Sequence, residues 1–285
     1  MTKTAAPMTS GSIWKQMTFF AMPIFLGNLF QQLYNTVDSL IVGNFLGSSA
    51  LAAVSSSGSL IFMLIGFLSG ISAGAGVIVA RFFGAGDEKN LQRAVHTTVA
   101  FGLVAGVLMT GVGVALSPQI LRWMDTPESV MRESVTYLQI YFAGSLGFVM
   151  YNVLVGILQA VGDSRHPLYY LIVSSVINLV LDLLFITGFH TGVGGAAVAT
   201  VISQIVSALL CFWQLLRTKE SYGLKIRKIR FDKGILVQII KIGLPSGVQN
   251  SIIAFANVIV QSNINAFGEM AMAGYGAYTK VEGFG

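Results

Sequence analysis

Asn28, Gln31, Asn35 and Asp38 follow one another at intervals of three, four and three residues, which lines them along one face of a helix. A second row, Ser174, Asn178 and Asp182, runs at successive intervals of four. Each row ends on a carboxyl, and each lies in a stretch that otherwise holds almost no charge. Two carboxyl groups taken out of water suit the holding and release of a small cation. Burial disfavours the charge on a carboxylate and a second one nearby disfavours it further, so a pair can keep a proton and lose it when water enters. Carboxylate, amide and hydroxyl oxygens together equally suit a hard cation such as Na+, and the residues leave both ions open. Tyr137, Tyr141, Ser145, Asn152 and Gln159 form a third polar row, and Thr200, Ser203, Gln204 and Ser207 a fourth. Four rows on four helices predict one central polar cavity.

The elements that carry these rows are set by the solvent the chain must meet. The 285 residues are 54% hydrophobic and only 10% charged, against roughly a quarter charged in soluble domains. Mean hydropathy is +0.73. Charge-free runs at 39–80, 94–121, 134–162 and 242–268 each exceed the ~20 residues that carry a helix across a bilayer. The run 167–216 is interrupted only by Asp182 and His190. Length and the lack of ten-residue alternation favour helices over barrel strands. Spans are expected near 17–45, 51–80, 94–117, 134–160, 167–188, 194–216 and 234–267, with an eighth beginning at 272. A carboxyl inside such a span costs about 2.5–3.5 kcal/mol on insertion scales, so Asp38 and Asp182 are functional candidates.

Lys and Arg in the connections set orientation. Lys3, Lys15, Arg81, Lys89, Arg93, Arg165 and seven cations between 217 and 233 lie on one side, against Arg122 and Arg132 on the other. This places the N-terminus in the cytoplasm of a multi-pass protein of the inner (plasma) membrane. The basic stretch reads as a cytoplasmic loop touching anionic lipid, not as a nucleic-acid site. The chain therefore divides into a cytoplasmic N-terminus (1–16), a six-helix N-lobe (17–216), a basic linker (217–233) and the start of a C-lobe (234–285). Cys211 is single, implies no oxidising compartment, and reads as a small side chain in an apolar run.

An internal repeat supports the two-lobe division. At an offset of 222, Gln16, Pro23, Asn28, Asn35 and Phe45 meet Gln238, Pro245, Asn250, Asn257 and Phe267. One deletion later Gly47 meets Gly268 and Ala50 meets Ala271. Six spans separate the copies, so both cross in the same direction, as parallel transporter repeats do. The second copy is interrupted at Gly285, which reads as a truncation within the eighth helix. Pro23 and Pro245 predict kinks, and Pro23 is a candidate hinge for the helix carrying Asp38. The small-residue ridges Gly66, Gly70, Gly74 and Gly102, Gly106 predict close helix packing.

Several segments carry a resemblance to a known family. They are Asn35-Thr36-Val37-Asp38 leading to Gly43, the Gly84-Ala85-Gly86-Asp87 turn, Leu158-Gln159-Ala160-Val161-Gly162-Asp163 before Pro167, and Asn178 with Asp182. In this order the chain resembles the multidrug and toxic compound extrusion (MATE) family over 14–285, about three-fifths of a typical member, with the DinF-like branch most similar. The resemblance implies two six-helix lobes, alternating access, and export of amphipathic or cationic organic compounds against a proton or sodium gradient by a monomer without a cofactor. It implies ion coupling, with H+ or Na+, at Asp38, Asn178, Asp182 and Thr200. It also implies a substrate cavity drawing on Tyr137 and Asn152, to which the polar rows add Asn28, Gln31, Asn35 and Tyr141, and bending at Pro23. Other branches use a carboxylate in the seventh helix, and here none lies between 234 and 268.

The alternative within transport is a lipid-linked saccharide flippase of the same superfamily, which would be expected to place cations in the cavity to meet pyrophosphate. No Lys or Arg falls mid-span before 217. A membrane enzyme lacks support, because His96, His166 and His190 lie near span ends without metal-ligand spacing. No phosphate-binding G-x-x-x-x-G-K-[ST] motif is present, although an ABC-type permease can carry its ATPase on another chain.

Overall fold

A membrane-spanning chain must satisfy its backbone internally, and the computed structural model, which describes residues 12–283, does so with helices alone among the described residues. Met1–Gly11, with Lys3, and the chain end at Gly285 lie outside the described residues. The helices are α1 (Ile13–Leu46), α2 (Ser48–Gly84), α3 (Glu88–Trp123), α4 (Glu128–Ala143), α5 (Ser145–Ala160) and α6 (Arg165–Leu183). Then follow α7 (Val193–Arg217), α8 (Lys233–Asn265) and α9 (Glu269–Glu282). A single π turn, Leu184–Gly188, extends α6, and a 3-10 turn, Ile226–Lys228, lies in the linker.

α2, α3, α6 with its π turn, α7 and α8 are long and apolar enough to cross a bilayer, and α4 with α5 makes a sixth span bent by 49°. α1 is not in that set. Its 34 residues are long enough, about 50 Å at 1.5 Å per residue, but the row of Asn, Gln, Tyr and Asp lowers its hydropathy. Large apolar side chains are exposed, and the apolar core also holds buried polar groups. Phe25, Leu108, Val180, Ile252 and Phe255 are exposed, while Asn178, Asp182, Ser203, Ser207, Gln261 and Asn265 are buried. Such a surface fits hydrocarbon, and such an interior needs internal partners. Cys211 is fully buried in an apolar cluster with Leu154, Leu158 and Leu215.

The fourth expected span departs from the sequence reading. A single helix would keep Tyr137, Tyr141, Ser145, Asn152 and Gln159 on one stripe, but the chain breaks at Gly144. A Cβ at Gly144 would overlap the Val201 side chain, and one at Gly147 would crowd Ile205, so α7 presses against the corner where the span bends. The two halves therefore present their polar residues in different places.

The repeat has a backbone counterpart. Gly47, between α1 and α2, has φ 90° and ψ −175°, and Gly268, between α8 and α9, has φ 90° and ψ −177°. Only glycine adopts this region without strain. Glu269 at the second joint accepts hydrogen bonds from Ser49 and, at 3.3 Å, from Ser48 at the first. Residues 48 and 269 are equivalent in the aligned copies, so the two joints meet each other directly. α1 and α8 both run unbroken through their prolines, Pro23 and Pro245.

The glycine ridges do what their spacing predicts. A Cβ on Gly70 would overlap the backbone of Gly247, and one on Gly74 that of Gly243, so α2 and α8 meet backbone to backbone. Gly102 faces Met150 and Val153, and Gly106 faces Leu146, on α5. The family-like turns are stops and caps. Gly86 and Gly162 have positive φ, 67° and 89°. Asp87 accepts from the Asn90 backbone N–H at 3.1 Å and the Asn90 amide at 2.7 Å, which holds its carboxyl below the usual range.

Candidate functional site

α1, α6, α7 and α4 converge on the two acids. Asp182 is fully buried near the end of α6, one turn beyond Asn178, itself buried. The Asp38 and Asp182 carboxyl groups lie side by side, within hydrogen-bonding reach of each other. With its amide turned so that both ends are satisfied, Asn178 donates to Asp182 Oδ2 at 2.7 Å and accepts from the Thr200 backbone N–H at 3.2 Å. The Asn178 amide is also 3.4 Å from Thr200 Oγ1, which donates to the Ala196 carbonyl at 3.0 Å. The four residues expected to share an ion thus come together from three helices.

Two oxygens in this cluster have no donor: Asp38 Oδ1 and Asp182 Oδ1 are both buried without a hydrogen-bond partner. Unsatisfied buried acceptors cost on the order of 1–3 kcal/mol each, more when charged. The pair therefore keeps acceptor capacity that no donor fills among the described residues.

Two neighbours were not legible as site residues. Tyr34, one turn before Asp38, places its hydroxyl beside Thr200 and Ser203 and close to both acids. Its position on the α1 row was the available signal. Lys280 on α9 brings its ammonium within electrostatic range of Asp38, and its backbone carbonyl accepts from Gln32 Nε2 at 3.0 Å. No local pattern links position 280 to position 38.

A separate cavity of about 530 Å³ opens between α1, α2, α5 and α6. Asn28, Gln31, Asn152 and Gln159 line it with Pro23, and among the described residues no charged side chain does. It lies toward the α5–α6 turn, whereas Asp38 is ten residues, or about 15 Å, further along α1 than Asn28. The expected substrate cavity is thus divided. Asn28, Gln31 and Asn152 line this space, but Tyr137, Tyr141 and Asn35 do not. The break at Gly144 turns Tyr137 and Tyr141 into a buried aromatic stack with Phe148, the Tyr141 and Phe148 rings 4.3 Å apart. Pro23, the expected hinge, sits in the cavity wall.

An all-helical bundle with large apolar side chains on its surface, a repeated glycine joint and an acid pair in its interior belongs to the class of polytopic membrane transporters. Comparison with known proteins narrows this. The family profile described as MatE matches residues 23–184, more than half the chain, and the chain belongs to that family. The protein "Probable multidrug resistance protein YoeA" of Bacillus subtilis (strain 168) is 34% identical over 280 residues, covering 96% of this chain and 60% of that protein. A multidrug resistance MATE family transporter of the MOP superfamily in an outward-facing conformation is 25% identical, with a TM-score of 0.82 over 99% of this chain and 68% of that one. One in an inward-facing conformation is 28% identical, with a TM-score of 0.81 over 88% of this chain and 57% of that one. The chain spans about three-fifths of the length of the curated relatives it matches.

Proposed function

We propose that the chain serves a cation-coupled antiporter exporting small amphipathic or cationic organic compounds by alternating access. The observation that carries this reading is the contact between Asp38 and Asp182, each with a buried oxygen lacking a donor. Two carboxyl groups held this close repel each other when both are ionised, so the pair suits exchange of H+ or, with Asn178 and Thr200 oxygens, of Na+. The cavity beside Pro23 receives the organic compound, with Asn28, Gln31 and Asn152 as its polar contacts, and the absence of cations among the described residues of its wall argues against a pyrophosphate-linked saccharide. The likeness to both outward- and inward-facing transporters supports a lobe that moves as a body. In this reading residues 17–216 are the first lobe, 217–233 a cytoplasmic linker and 234–285 the beginning of the second, in an inner membrane with the N-terminus inside. The ion site falls in the first lobe, as in DinF-like members.

The test is efflux of a cationic dye from vesicles under a proton gradient or a sodium gradient imposed separately. One gradient alone should drive efflux, and Asp38→Asn and Asp182→Asn should each reduce it more than tenfold at unchanged membrane insertion. Efflux unaffected by both substitutions would remove the acid pair from coupling.

A further inference from the structure

The basic linker is not a loose loop. Gln92 on α3 donates through Nε2 to the Ser221 carbonyl and, at 3.0 Å, to that of Gly223. His96, one turn on, accepts the Lys225 backbone N–H at Nε2, 3.0 Å away, while its Nδ1 bonds the Gln92 carbonyl. Thr97 accepts the Asp232 backbone N–H at 3.0 Å. His96 and Thr97 are both buried. The first turns of α3 therefore pin the linker backbone at three places, and the pinning shapes a pocket of about 480 Å³.

Five cations, Lys89, Arg93, Arg227, Lys228 and Arg230, line that pocket against one carboxylate, Asp232, which pairs with Arg93 at 3.7 Å. Gathering like charges in a fixed frame costs Coulomb energy unless an anion joins them. Arg guanidinium groups present paired donors that match a phosphate. Ile226 and Phe231, next in the chain to the pocket residues Arg227 and Arg230, are exposed, at 60% and 46%, as are Trp213 and Leu216 on the last turns of α7. The Arg217 guanidinium lies over the Trp213 ring at 4.8 Å. Exposed apolar and aromatic side chains beside fixed cations, where spans meet water, are the makings of an interfacial anchor.

We propose that this pocket binds the phosphate of an anionic lipid head group, whose acyl chains run past Ile226 and Phe231. The site is separate from the acid pair and from the cavity at Pro23, and does not depend on the export reading. It would tie the linker, and through it the start of α8, to the anionic leaflet.

Native mass spectrometry of the 285-residue chain, released from nanodiscs of phosphatidylcholine with or without phosphatidylglycerol, tests this. One retained phosphatidylglycerol is expected, with no comparable retention of phosphatidylcholine. The exposed pair Arg227→Gln and Lys228→Gln should lower its affinity about tenfold or more, from loss of two charge-assisted contacts. Lys15→Gln with Arg165→Gln removes the same charge from the same side, outside the pocket, and should leave retention unchanged. Equal loss in both double variants, or no preference over phosphatidylcholine, would overturn the proposal. In neutral nanodiscs, inorganic phosphate raising the unfolding midpoint as far as phosphatidylglycerol does would assign the pocket to a soluble phosphate and overturn the lipid.

Discussion

Replacing Asp38 by asparagine would hand Asp182 an amide donor in place of a second acceptor. Two buried acceptors face each other without a donor, so Asp38→Asn should leave the thermal unfolding midpoint in detergent unchanged or raised. A fall of several degrees would mean that the acid holds the bundle together instead of holding an ion. Asn178→Ala acts in the opposite sense. It strips Asp182 Oδ2 of its 2.7 Å donor and should cost about 1–3 kcal/mol of stability, read in the same assay. These residues were legible from sequence because a charge among apolar neighbours stands out, and because α1 and α6 stay helical where the intervals of three and four require it. Tyr34 shares the α1 row but reads as an ordinary aromatic. Lys280 reaches Asp38 only through the packing of α9 against α1, which no spacing within either helix records.

At the scale of the element, the joint glycines give a test of the repeat that involves no transport. Gly47 and Gly268 share their dihedral angles, and a Cβ at either would meet nothing within 4 Å, so alanine costs only backbone strain there. Gly47→Ala and Gly268→Ala should therefore destabilise by similar amounts, about 1–2 kcal/mol each. Markedly unequal midpoint shifts would end the idea that the two joints are copies. Helix packing behaves differently. Gly70→Val would force α2 from the Gly247 backbone and should cost about 1–3 kcal/mol or more, whereas Gly111→Ala on α3 meets open space and should be neutral or slightly stabilising. The spacing of Gly70 and Gly74 announced close packing, though not that the partner would be Gly243 and Gly247 of the second copy. The bend at Gly144 was hidden for a related reason. Gly144-Ser145 is a weak point in a helix, but a Gly/Ser pair does not by itself fix a bend, and the corner forms where Val201 of another helix comes too close for a side chain.

For the whole molecule, orientation is the inference that composition carries and geometry arranges. The α2–α3 turn, the α5–α6 turn, the linker and the start of α8 gather the cations, and Asp125 in the α3–α4 turn lies at the other end of α3. The acid pair lies near the C-terminal ends of α1 and α6, away from that basic face, whereas the cavity at Pro23 opens toward it. For the proposed exchanger, insertion with the basic face inward would put the cavity nearer cytoplasmic compounds and the acids nearer external cations. Cys211 makes this measurable, because it is the one cysteine and is fully buried, so the chain offers a low labelling background. In intact cells Asp125→Cys should react with a membrane-impermeant maleimide, and Lys219→Cys should react only after permeabilisation. The reverse pattern would invert the membrane orientation. It would place the cavity on the outer face and reverse the proposed direction of transport, while the proximity of the two acids would stand.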